Sequence, residues 1–209
     1  MVLCRSKDKT KTTMIGATVV AALLLVLVLF YVARHAFLAP EGADVASWDV
    51  FERDAEPGDV LVTKSYDVGA LLSSMGQAGY FSHASAIVKD PDGSKWVLDA
   101  SPFRSRRRFP LEEIRRGKVG SEVYWLRARQ PPKPSRINRA TQKLEDLSDC
   151  KRTPWNFFNG MTCSGIVASY LNEIGVLPNP HRRDSSVFPM DFVRTLKPVF
   201  KNPVRILKL

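Results

Sequence analysis

No charged residue interrupts the chain between Thr12 and Ala33, and Val19 to Ala33 is almost wholly apolar. About 20 such residues suffice for a helix to cross a bilayer, where every backbone polar group must be satisfied within the segment. Arg5, Lys7, Lys9 and Lys11 precede the stretch, against the single acid Asp8. That bias predicts an N-terminus in the cytoplasm and everything beyond His35 on the far side. A cleaved signal peptide is the rival reading, but its apolar core would span only about 7–15 residues before a small-x-small site. "ARHAFLAPEG" has no clean site of that kind. The expected organisation is a cytoplasmic tail (1–11), a transmembrane anchor (12–37), a linker (38–55) and one exported domain (56–209), periplasmic in a Gram-negative host. The bilayer is thus the first expected partner, through residues 12–37.

A domain of that size can bury a full core without disulfide staples. Cys4 falls in the expected cytoplasmic tail, leaving Cys150 and Cys163 on the exported side. A bridge between those two is the structural alternative to any chemical role. The formal net charge is +10, with a dense run at "RSRRRF", Arg104 to Phe109. Basic runs suit anionic lipid or cell-wall polymer, or form a solvated loop. A nucleic-acid partner is not expected, because the domain is exported and the run lacks interleaved aromatics.

Breakers divide the domain into short elements. "APEGADVASWDVFERDAEPGD" reads as the linker, with Pro40, Gly42, Pro57 and Gly58. "DVLVT" (59–63), "FSHASAIV", "WVLDA" and "EVYWLRA" (122–128) read as strands, the second and third joined as a hairpin through "KDPDGSK". "VGALLSSMGQAGY" and "RINRATQKLEDLS" have helical spacing, and "QPPKPS" is a loop. The strongest helix is "TCSGIVASYLNEIGVLP", with Ile166, Val167, Tyr170, Leu171 and Ile174 on one face. Thr162 is its expected N-cap and Gly175 its left-handed C-cap. "FPMDFVRTL" is a short helix and "PVRILKL" a last strand. Hairpin-joined strands with one strong helix predict an α+β domain.

The chemistry-bearing residues follow from this layout. Cys163 falls in the first turn of the strong helix, where unpaired N–H groups and the positive end of the dipole favour thiolate. The same N–H groups suit an oxyanion on an attacked carbonyl. The structural alternative is a small buried hydrophobe. The exported domain has two histidines. His181, in "PNPHRRDSS", reads as a solvated loop residue. His83 lies beside Ala84, Ser85 and Ala86, small enough to let a helix approach, and imidazole is the usual base for activating a thiol.

Asp99 is the candidate for orienting that imidazole. Strand side chains alternate faces, so parity decides whether the two can meet. A three-residue loop, Pro91 to Gly93, pairs Asp90 with Ser94 and Ser85 with Asp99. His83 is then the same-face diagonal neighbour of Asp99, about 7–8 Å away at the backbone. A two- or four-residue loop would put them on opposite faces. Asp90 and Asp92 belong to the turn itself and are weaker candidates. With no Cys-x-x-Cys, no His-Glu-x-x-His and no phosphate-cradling loop, no metal or cofactor is expected.

"EPGDVLV", "YFSHASAIV", "WVLDAS" and "MTCSGIVASYL", in that order, resemble the permuted NlpC-type papain-like cysteine hydrolases. The YiiX-like branch, related to lecithin:retinol acyltransferase, is the most similar, and "FPMDFV" also looks like a segment of that branch. The resemblance spans about Glu56 to Val193. It implies an antiparallel sheet with a packed catalytic helix, Cys163 as nucleophile, His83 as base and Asp99 as orienting residue. It also implies a substrate among peptide amides or acyl-lipid amides and esters. An amide in cell-envelope material, such as a cell-wall peptide or an acylated one, is the expected substrate, with a lipid acyl bond as the alternative. Two departures stand out: the third position in the branch is often glutamate, and the N-terminal anchor is not a general feature.

Overall fold

The computed structural model describes residues 16, 18–29, 39–40, 42–65, 79–90, 92–99, 108–117, 122–140, 163–177 and 187–207. These form an α+β domain around a seven-stranded mixed sheet, preceded by helical residues 18–29. The strands are β1 (Asp44–Ser47), β2 (Val60–Lys64), β3 (His83–Lys89), β4 (Lys95–Leu98), β5 (Arg108–Pro110), β6 (Glu122–Leu126) and β7 (Val204–Leu207). Their order is β1-β7-β6-β2-β3-β4-β5. Neighbours are antiparallel except at the edge, where β1 runs parallel to β7 from Asp44↔Val204 to Ser47↔Leu207. The wholly antiparallel sheet expected from the sequence is corrected there. A hairpin cannot join the two ends of a domain, so the first strand can pair with the last in either direction.

Alternation sorts the strand residues onto two faces. One face, with Val60, Val62, Ala84, Ala86, Val88, Tyr124 and Leu126, is covered by a helix, α3 (Cys163–Ile174). Val167, Leu171 and Ile174 of α3 are fully buried there, as the 3.6-residue spacing predicts. The small side chains of Ala84 and Ala86 allow the helix axis to come close to β3. Gly175 ends the helix at φ +80°, and Val176 N–H donates back to the Leu171 carbonyl at 2.9 Å, a left-handed cap. Thr162, the expected N-cap, lies outside the described residues.

The opposite face carries Leu61, Ile87, Val97, Phe109 and Trp125. It is covered by two further helices, α1 (Trp48–Asp54) and α2 (Leu111–Gly117). Here the linker expected over 38–55 is corrected, because residues 44–54 are β1 and α1. Ser47 caps α1 by accepting from Val50 N–H at 3.3 Å, and Trp48 and Phe51 are buried. Phe51 stands edge-on to both Trp48 and Trp125, at 5.1 and 5.4 Å between ring centres. Burying a side chain of that size is worth roughly 1.5–3 kcal/mol, too much for a segment that merely connects. Neither β5 nor α2 is expected from the sequence. Arg108, from the basic run, is no solvated loop residue: it pairs with Asp90 and lies 5.0 Å over the Trp96 ring.

Residues 134–140 are helical, as are Pro189–Phe192 and Lys197–Val199 in 3₁₀ form. The expected helix around 68–75 and the second half of the one beyond 140 lie outside the described residues. So do the flanks of the expected anchor over 12–37, of which residues 16 and 18–29 are helical. Val19, Leu23, Leu27 and their neighbours are largely exposed on that helix. Among the described residues no helix is long and apolar enough to cross a membrane.

Candidate active site

The hairpin sets the geometry. Gly93 takes φ +90°, where a side chain would be strained, and donates its N–H to the Asp90 carbonyl at 2.9 Å. Asp92 accepts from Ser94 N–H at 2.9 Å and Ser94 Oγ at 2.7 Å, bonds that hold its carboxyl below the usual range. Asp90 N–H donates to the Ser94 carbonyl at 3.0 Å, closing a three-residue loop. The ladder then runs Lys89↔Lys95, Val88↔Trp96, Ile87↔Val97 and Ala86↔Leu98. Extended by one pair, it sets Ser85 against Asp99, which is the parity that a His83–Asp99 meeting requires.

The two side chains do meet. His83 Nε2 lies 2.5 Å from Asp99 Oδ1, with the carboxylate side chain 4% exposed and the imidazole 17% exposed. Cys163 arrives from the first turn of α3 as a free, buried thiol, and Cys150 lies outside the described residues. Burial is the largest influence on that thiol and pushes it up. The charge and hydrogen bond of His83, with the Ala84 backbone N–H, outweigh burial and hold it below the ordinary thiol value, while the Asp99 charge opposes them. With Nε2 turned to Asp99, Nδ1 is the ring nitrogen that remains for the sulfur. All three predicted residues therefore stand together: His83 opening β3, Asp99 just past β4, Cys163 opening α3. His181 lies outside the described residues.

This arrangement can hold a proton between sulfur and imidazole. It can also present a thiolate at a helix N-terminus, with a carboxylate behind the ring to steady an imidazolium. Among the described residues no group of three or more His, Cys, Asp or Glu side chains could hold a metal ion.

Around the trio lie polar groups that the sequence analysis does not single out. Thr63 pairs with His83 across β2–β3, and Ser85 is two residues along β3. Both hydroxyls are buried without a hydrogen-bond partner among the described residues. At the same end of the sheet Lys64 pairs with Glu122 across β2–β6. Glu122 accepts from Tyr80 Oη at 2.7 Å and Tyr124 Oη at 2.9 Å, and Lys64 Nζ stands 5.2 Å from the Tyr80 ring centre. Burial pushes both phenols up, Tyr124 to about 12, with Glu122 adding to the effect. Burial lowers Lys64 against the pull of Glu122. The available signal was a lysine in an otherwise apolar and threonine-bearing strand, but its partner lies 58 residues later.

No protein-family model and no curated protein matches this chain. Among solved structures it is similar to one described as the metalloprotein YiiX from Escherichia coli O157:H7, DUF1105. The TM-score is 0.47 at 16% identity, covering 58% of this chain and 67% of that one.

Proposed function

We propose that the chain is a membrane-anchored cysteine hydrolase that cleaves an amide bond in cell-envelope material, a peptide or an acylated peptide. The single observation that carries this reading is the lowered Cys163 thiol held against His83, with Asp99 at 2.5 Å behind the ring. In the reaction, Sγ attacks the carbonyl carbon and the carbon–nitrogen bond breaks. His83 gives its proton to the departing amine, leaving an acyl-thioester on Cys163. His83 then takes a proton from water, the new oxygen bonds to the acyl carbon, and the carbon–sulfur bond breaks to restore the thiolate. Asp99 keeps the ring in the orientation that both transfers need. Residues 12–37 anchor the domain, with the cationic N-terminal tail in the cytoplasm and the hydrolase domain, from β1 onward, exported.

The test is to incubate the full chain in detergent with a cell-wall stem peptide amide or a short-chain acyl ester, quench in acid, and read intact mass. A hydroxylamine-labile acyl adduct on Cys163 from the peptide, missing in Cys163→Ala, is the expected result. An adduct from the acyl ester alone would reassign the protein as a lipid acyl hydrolase or acyltransferase. Neither adduct nor turnover would leave a non-catalytic, membrane-tethered binding domain.

A further inference from the structure

The end of the sheet remote from Cys163 carries a surface of one sign. Two segments, 127–140 and 194–201, contain no acid. They are joined by the Ala128↔Phe200 bridge, by Arg129 N–H to the Val199 carbonyl at 2.9 Å, and by Lys201 N–H to the Arg127 carbonyl at 2.8 Å. On them Arg129, Lys133, Arg139, Arg194, Lys197 and Lys201 are exposed. Several carboxylates near this surface have partners, while Asp44, at the start of β1, is exposed. Glu56 lies 4.0 Å from Lys89, Asp54 2.7 Å from Arg53, and Asp90 pairs with Arg108. Asp59 is buried under three N–H donors.

What this surface faces follows from where the chain comes in. β1 starts at Asp44, paired with Val204, three residues beyond Lys201. The N-terminal helix, whose described residues Val19 to Leu29 expose their apolar side chains, therefore joins the domain at the cationic end. Under the anchored reading proposed above, on which this inference rests, a helix with exposed apolar side chains that precedes the domain and two acid-free cationic segments at the end where the chain enters match a bilayer, which offers hydrocarbon and phosphate in that order.

We infer that the surface formed by residues 127–139 and 194–201 docks on the anionic headgroups of the membrane that receives the N-terminal helix. The consequence is an orientation. Helix α3 runs from Cys163 to Ile174, and the Arg136 guanidinium covers Gly175 just past its end. At 1.5 Å per residue the thiol stands about 18 Å from the docked end, on the side turned away from the lipid. Given the catalytic reading above, on which this consequence alone rests, the substrate is reached from the aqueous side and is not the supporting bilayer. That favours the peptide over the lipid as substrate class.

The test uses no activity, so it stands apart from the catalytic reading. The full chain is reconstituted into nanodiscs of phosphatidylcholine alone or with phosphatidylglycerol added. Amine labelling of Lys133, Lys197 and Lys201 is then followed by peptide mass spectrometry. Labelling should slow by about tenfold in the anionic discs, the size expected when several cations share one anionic surface. The protection should be lost when salt rises from about 0.1 M to about 1 M, which shortens the screening length from about 10 to about 3 Å. It should also be lost in Arg139→Glu/Arg194→Glu, which melts like the parent and keeps the three reporter lysines. Equal labelling in both discs, or equal salt-independent protection in both, would overturn the inference. So would protection by a single-stranded oligonucleotide with none from the discs, which would make this a nucleic-acid surface instead.

Discussion

Two buried aspartates, at opposite ends of the sheet, put the same side chain to different use. Asp59, just before β2, is saturated: Oδ1 accepts from Ala128 N–H at 2.9 Å, and Oδ2 from Trp125 Nε1 at 2.8 Å and Glu56 N–H at 3.1 Å. Burial pushes its carboxyl up and those three bonds pull it back. The three donors are backbone or indole N–H groups that do not themselves titrate at ordinary pH, and the carboxyl stays above its usual value. Asp99 instead faces one titratable ring that in turn faces a thiol. The difference teaches that burial alone does not mark a site. What marks it is a partner able to change charge, with hydroxyls such as Thr63 and Ser85 that bond to nothing among the described residues nearby.

The largest expected effect falls at the catalytic end. Cys163→Ala should abolish acyl transfer altogether while the protein still melts cooperatively. A variant that retained turnover on the peptide amide would break the comparison. Asp99→Ala should reduce the acylation rate by about 100-fold, the scale of a misplaced general base. Asp99→Asn keeps an oxygen for His83 and should shift the melting temperature little.

At the other end the order reverses. Asp59→Asn must set its amide nitrogen against an N–H donor, because both carboxylate oxygens are taken. Its cost should be about 3 kcal/mol, or roughly 10 °C in a thermal melt, with intrinsic Cys163 reactivity unchanged below the transition. If Asp59→Asn were silent in the melt and Asp99→Asn severe, the assignment of structural and chemical roles would be reversed. The smallest effect is expected at Thr63→Val, which removes a buried hydroxyl that bonds to nothing described. Calorimetry should find it neutral or stabilising by up to about 1 kcal/mol.

Much of this contrast was legible in the sequence, and unevenly so. "KDPDGSK" carries its own turn chemistry, so the hairpin and its candidate pair were legible 16 positions apart. The loop length that decides the parity stood between three residues and two or four until the structure closed it at three. Cys163 stands 80 residues beyond His83, and spacing could place it only at a helix start; the order of motifs supplied the rest. Asp59 stood within a quoted motif, yet its role was hidden because Trp125 and Ala128 lie more than 60 residues away. Residues 44–54 were misread because the flanking Pro and Gly outweighed a four-residue strand and a seven-residue helix, both too short for periodicity to register. The parallel β1–β7 edge had no local signal at all.

The central claim is that His83 lowers the Cys163 thiol below its ordinary value, and alkylation of the full chain by iodoacetamide, followed by intact mass from pH 5 to 10, tests it directly. A thiol lowered in the fold stays reactive below its ordinary value of 9.0 and loses reactivity only as pH falls through the depressed value. The same shift contributes stability above that ordinary value and gives it up over that window. In His83→Ala the two largest lowering influences go while burial and the smaller pull of the Ala84 N–H remain, so the profile should move upward, with at least about tenfold slower labelling at pH 7. Profiles that titrate normally and coincide in the two proteins would contradict the account, leaving Cys163 a buried structural thiol and His83 a core residue.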